Sequence, residues 1–168
     1  SDILLITKND FVSAFEPYLE FKESTGFACS VKTVEDIYSE YSGEDDQDKI
    51  RNCIIDYYEN YGISYVILGG DGDGDNAAGR IIPHRGFYNV AWGTTDDDIA
   101  ADLYYSNLDG NWNADGDNKW GEIGEEDFYA EVAIGRICAD NTTKIENHIN
   151  KLQLYQDAPV VDDIEKAL

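Results

Sequence analysis

Short apolar runs bounded by polar residues recur along this chain, separated by segments whose apolar residues repeat every three to four positions. Residues 3–6 form the first run, the pattern of a strand buried on both faces. Residues 28–34, 64–68 and 130–137 read as three more strands. Between the first two, Phe11, Ala14, Phe15, Tyr18 and Leu19 keep helical spacing, with Asp10 at the N-cap position and Gly26 closing the element. Pro17 inside that pattern predicts a kink or a restart. Thr33 and Asp36 predict a capping box for a short helix through Tyr41. After an acidic loop at 43–48, a longer helix carries Ile50, Cys53, Ile54, Tyr57, Tyr58 and Tyr61 on one face and stops at Gly62. A last helix, 142–155, turns Ile145, Ile149 and Leu152 inward. Strands alternating with helices specify an α/β fold: a mainly parallel sheet of about four strands flanked by helices.

Residues 71–127 break the rhythm. They are rich in Gly, Asp and Asn, with only short extended pieces near 80–83 and 87–92. So long an insertion in a domain of 168 residues is where function is expected to reside. The tail from 157 to 168 reads as a loop and a helical turn leading into something further. The chain starts at Ser1 and holds no Met, so it is expected to be a processed or excised segment. Residues 1–168 are thus read as a single α/β subdomain, truncated at its C-terminus.

With Lys plus Arg at 12 against 35 Asp plus Glu, the net charge is −23. Such a surface repels phosphate backbones and anionic lipid, so neither nucleic acid nor membrane is an expected partner. Hydrophobic residues at 42% and aromatics at 12% are enough for a packed core and exclude a disordered chain. No apolar run is long enough to span a bilayer, and no signal peptide is read. Cys29, Cys53 and Cys138 are an odd, scattered set, so no disulfide framework is expected.

The acids cluster at spacings that suit a cation. An EF-hand-type loop places side-chain oxygens at positions 1, 3 and 5, Gly at 6 and a bidentate acid at 12. Asn111, Asn113, Asp115, Gly116 and Glu122 occupy those positions, with Asn in place of Asp at the first. Asp117, at position 7, would offer its backbone oxygen, and Asp109 could add a carboxylate. All are hard oxygen donors with no His or Cys beside them, which selects calcium over zinc. Paired helices do not flank the loop, so its expected role is structural rather than sensory. The alternating acids Asp71, Asp73 and Asp75 lack the Gly and the closing Glu, and read as a tight turn.

No catalytic constellation is visible. His84, after Pro83 at the mouth of the insertion, is the better functional candidate of the two histidines. His148 is expected to be a partly buried packing residue. Cys53 on an apolar helix face reads as an inert small hydrophobe, and Cys29 is expected in a buried strand. Cys138 ends the fourth strand, where α/β enzymes carry chemistry, so a Cys138–His84 pair is conceivable.

The order of these segments resembles the gingipain family of cysteine peptidases almost end to end. The likeness rests on residues 3–6, the segment 11–26 with Phe21 and Lys22, and the run 65–71 followed by Ile82 and Pro83. Residues 102–110 with the acidic loop after them, Glu131 to Arg136 and the closing 152–155 complete it. The resemblance implies a caspase-like fold, in which this chain is the N-terminal subdomain with a long acidic insertion. For the parent protein it implies peptide-bond hydrolysis by a Cys thiolate with His as general base and backbone N–H groups holding the oxyanion. In that family the His, in a His-Gly setting, and the Cys lie downstream of the point reached here. Neither His84 nor His148 precedes Gly, so no catalytic residue is transferred to this chain. The implied partners are the C-terminal catalytic half of the same domain and protein or peptide substrates of the parent, in an extracellular or periplasmic setting. A non-catalytic, calcium-binding interaction module on the same fold is the alternative. A flavodoxin-like phosphoacceptor or cofactor domain is weaker, because the phosphate-binding loop is missing.

Overall fold

The computed structural model describes residues 1–72 and 79–158. Asp73, Asp75 and the tail beyond Ala158 lie outside the described residues. Four strands, β1 (Ile3–Thr7), β2 (Cys29–Thr33), β3 (Tyr65–Gly69) and β6 (Ala133–Ile137), form one sheet in the order β2-β1-β3-β6. All three pairings are parallel, with Leu5 aligned to Val31 on one side and Ile67 on the other. Every residue of β1 is buried, which requires cover on both faces of the sheet. That cover comes from α1 (Val12–Ser24) packed with α5 (Thr142–Asp157) and from α2 (Val34–Glu40) packed with α3 (Asp46–Tyr61). Leu4, Leu5, Ile6, Phe15, Ile37, Ile50, Ile54, Leu68 and Ile145 are wholly inaccessible to solvent.

Local chemistry explains most boundaries. The Asp45 and Asn141 side chains cap α3 and α5 by accepting from the N–H groups of Asp48 and Lys144. Thr33 accepts from the Asp36 N–H at 3.2 Å and starts α2. Gly62 ends α3 in the left-handed region at φ +66°. At the C-terminal end of β3, a Cβ on Gly69 would lie 2.6 Å from Phe15 Cζ and one on Gly70 2.4 Å from Ile81 Cγ2. Only glycine lets the chain leave the sheet there.

Several local expectations are corrected. Asp10 does not cap α1: it sits in a 3₁₀ turn (Asn9–Phe11) that buried Phe11 anchors, and the helix follows without a side-chain cap. The helix continues through Pro17 without restarting, and the Pro17 carbonyl accepts from Gln153 Nε2 on α5. Tyr58 and Tyr61 are exposed, because the stripe of α3 runs out beyond Ile54. Cys29 is only half-buried because β2 is an edge strand. His148 is exposed, since the inward stripe of α5 narrows to Ile145 and Ile149 with Leu152 half-buried.

The insertion is structured. Residues 80–83 are not a strand; the N–H groups of Ile81 and Ile82 both donate to the Asp71 carbonyl. A second, antiparallel sheet follows: β4 (Arg85–Ala91) pairs with β5 (Thr94–Ala101) around a bulge between Phe87 and Asn89. The one-turn α4 (Leu103–Ser106) then buries Tyr104 and Tyr105, which join Trp112 in the main core.

Candidate functional site

Three arginines fasten the insertion to the α/β body. Arg136 on β6 donates from Nε and Nη2 to the two Asp102 carboxylate oxygens, at 2.8 and 2.6 Å, and from Nη1 to the carbonyls of Gly70 and Ile82. Arg85 at the start of β4 forks onto Asp45 at 2.8 and 2.9 Å, and its guanidinium lies 3.6 Å from the Trp120 ring centre. Arg51 on α3 donates to the Asn107 and Gly110 carbonyls. Burial raises the Asp45 carboxyl, but the Arg85 fork and the N–H groups of Asp48 and Gln47 outweigh it and hold the group below the usual carboxylate range. Asn107 is a hub that no sequence signal marks. It is fully buried; its Oδ1 accepts from Gly110 N–H and Trp112 Nε1, and its Nδ2 donates to the Tyr129 carbonyl.

On this frame sits the acidic loop. Carboxylate oxygens of Asp115, Asp117 and Glu122 lie within 4.8 Å of one another. Asn113 Nδ2 donates to the Asp117 carbonyl at 2.9 Å, and Asn113 Oδ1 is buried without a hydrogen-bond partner. Asn111 Oδ1 accepts from the Asn113 N–H, and Asp109 stands outside the carboxylate set, on an exposed turn. Glu125, absent from the sequence pattern, closes the loop by accepting from the N–H groups of Ala114, Asp115 and Glu122. Lys119 Nζ lies 3.1 Å from Asp117 Oδ2 and 3.5 Å from Glu122 Oε1. The three close carboxylates are hard donors of the kind a divalent cation takes, and Asn113 Oδ1 is a further unengaged oxygen in the same loop. Of the other expected donors, Asn111 Oδ1 and the Asp117 carbonyl are engaged within the loop, and Asp109 stands apart from it. The inner side of the loop opens on a cleft of about 490 Å³, bordered across from it by Glu44, Asp45, Asp48 and Arg51.

The candidate catalytic pieces do not meet. His84 is buried, and its Nε2 lies 2.9 Å from Asp98 Oδ1 on β5. Exposed Cys138 shares a separate groove with Lys144, His148 and Lys151. Among the described residues no hydroxyl or thiol is hydrogen-bonded to the His84 ring.

The model of peptidase family C25 matches residues 1–167. The chain belongs to peptidase family C25. This C25 chain shares its fold with the solved gingipain R, the Arg-specific cysteine proteinase (TM-score 0.62, 22% identity), covering 92% of this chain and 28% of that one. It is likewise similar to the complex of the pro- and mature domains of Porphyromonas gingivalis RgpB (TM-score 0.60, 23% identity, 92% and 29% covered). A structure titled only as a protease matches at TM-score 0.64 and 20% identity, over 95% of this chain and 29% of that one. No curated protein matches. The C25 chain thus has the caspase-like fold expected of the gingipains and spans less than a third of the solved chains it resembles. Among its described residues no helix is long and apolar enough to cross a membrane.

Proposed function

We propose that this chain is the N-terminal part of a secreted, gingipain-like cysteine endopeptidase whose Cys–His dyad lies downstream of Leu168. The supporting observation is the C25 match over residues 1–167 on a parallel sheet in which β6 has a strand neighbour on one side only among the described residues. Such an edge presents main-chain N–H and C=O groups to which a further strand can pair. Within this chain β6 contributes Arg136, which holds the insertion over the ends of β3 and β6. In open α/β sheets ligands bind at those carboxyl ends. The chain's role is to present that platform rigidly while the downstream half supplies nucleophile and base. Calcium on Asn113, Asp115, Asp117 and Glu122 would neutralise the loop's acids and fix the insertion.

The test is activity-based labelling of the full-length parent with a thiol-directed peptidyl inhibitor, followed by peptide mapping. Label is expected on a cysteine beyond Leu168, with Cys138→Ser retaining full turnover. Label on Cys138 with loss of turnover in Cys138→Ser would place the nucleophile in this chain and refute the reading. A full-length parent that hydrolyses no peptide and takes no label would also refute it, and would leave a binding module.

A further inference from the structure

The hairpin of β4 and β5 carries an apolar groove that the peptidase reading does not use. Phe87, Val90 and Ile99 from the hairpin face Trp112, Ile123 and Phe128 across a space of about 480 Å³. Phe87 stacks on Trp112 at 4.7 Å and forms the floor. The walls are open: Ile123 is 100% and Phe128 72% exposed, and Tyr129 follows them at 84%. Soluble proteins rarely leave so many large apolar groups contiguous and bare without a partner for them. Glu122 and Glu126 stand on the rim, and Asp96 and Asp97 lie on β5 ahead of Ile99, Asp98 being turned to His84. Trp92 at the hairpin tip is fully exposed and takes φ +56°, a conformation that costs an aromatic residue energy and gains it no packing. Among the described residues β5 pairs only with β4, so its other edge has no strand beside it.

The geometry points to this groove as a docking site for an extended polypeptide in which basic and apolar side chains alternate. The peptide's apolar side chains enter between Ile99 and Phe128, its basic side chains meet the acids of the rim and of β5, and its backbone lies along β5. Recognition of this kind draws affinity from main-chain hydrogen bonds and specificity from alternate side chains. Charge decides the occupant. A second copy would bring the same acidic rim and a net charge of −23 to the contact, so self-association is opposed, whereas a cationic segment is drawn in.

The test uses the full-length protein and a fluorescein-labelled peptide of about ten residues alternating Lys with Leu and Phe, the length of a strand. Two control peptides replace Lys by Glu, or the apolar residues by Ser. Fluorescence anisotropy at low ionic strength is expected to show binding of the first peptide only, weakened about tenfold by Phe128→Ala. Glu126→Lys and added salt should weaken it as well. Phe128 is exposed and Glu126 half-buried, and unchanged thermal melts will show that the variants fold. Tyr61→Ala, an exposed residue at the C-terminal end of α3, should leave binding intact. Equal binding of the Glu peptide, binding indifferent to Phe128→Ala and Glu126→Lys, or no binding at all would overturn the inference. So would sedimentation showing that the protein dimerises and that Phe128→Ala abolishes the dimer.

Discussion

Arg136 and Asp102 form a two-pronged ion pair that joins the last strand of the parallel sheet to the residue preceding α4. The guanidinium side chain is only 10% exposed while the carboxylate is 27% exposed. Removing the carboxylate therefore leaves a guanidinium that little water reaches, held only by the neutral Gly70 and Ile82 carbonyls. Asp102→Ala is expected to lower stability by about 3 kcal/mol in urea unfolding, the usual cost of breaking a largely buried pair. The Arg136→Met, Asp102→Ala double variant should recover part of that loss. If the two single losses simply add, the pair is not coupled and the insertion is held by other contacts.

The Arg85–Asp45 fork makes stability fall in acid. Asp45 binds its proton more weakly folded than unfolded, so the unfolded state takes up more protons as pH drops. The stabilisation is complete above the unfolded carboxyl pKa of about 3.9 and is lost as pH falls below it, through the depressed folded value. Asp45→Asn should be less stable than the parent at pH 7, and the difference should shrink between about pH 4 and pH 2. Equal acid slopes for the two proteins would show that Asp45 does not carry the effect.

The elements legible in the sequence are those whose burial is one-sided or complete. The run at 3–6, the Ile50–Cys53–Ile54 stripe and the Gly62 stop all hold, because period and burial coincide there. β5 was not legible: residues 94–100 are all exposed, so Thr and three consecutive Asp leave no apolar alternation to read. Half of the acidic loop was legible. The spacing of Asp115, Asp117 and Glu122 brings their oxygens together, but Glu125 and Lys119 enter through loop folding that no spacing rule encodes. The three arginine anchors were equally silent, since each partner lies at least 34 residues away in the chain.

The three thiols should separate cleanly in reactivity. Burial pushes the Cys53 thiol up to about 12 and shields it completely, Cys29 is half-buried with its thiol also raised by burial, and Cys138 is exposed. Iodoacetamide at pH 8 followed by peptide mass spectrometry should find Cys138 alkylated first, Cys29 more slowly and Cys53 only after denaturation. Early modification of Cys53 in the native protein would mean that α3 opens locally far more easily than its packing implies.

Lys119 occupies the position from which a bound cation would neutralise Asp117 and Glu122, so calcium and the ammonium compete for the same carboxylates. Each holds the loop together, and Asn113 Oδ1, buried without a hydrogen-bond partner, is a further hard oxygen in the same loop. Added calcium should therefore raise the melting temperature, by the equivalent of about 2.7 kcal/mol at a hundred times its Kd. Glu122→Ala should erase that gain. Lys119→Gln should lower the melting temperature without calcium, because three carboxylates then face one another unneutralised, and should tighten calcium binding in titration calorimetry. Magnesium at the same concentration should do less, since a loop of this shape does not impose octahedral geometry. A calcium response that survives Glu122→Ala would move the cation elsewhere, and no response at all would leave Lys119 as the loop's permanent counter-ion.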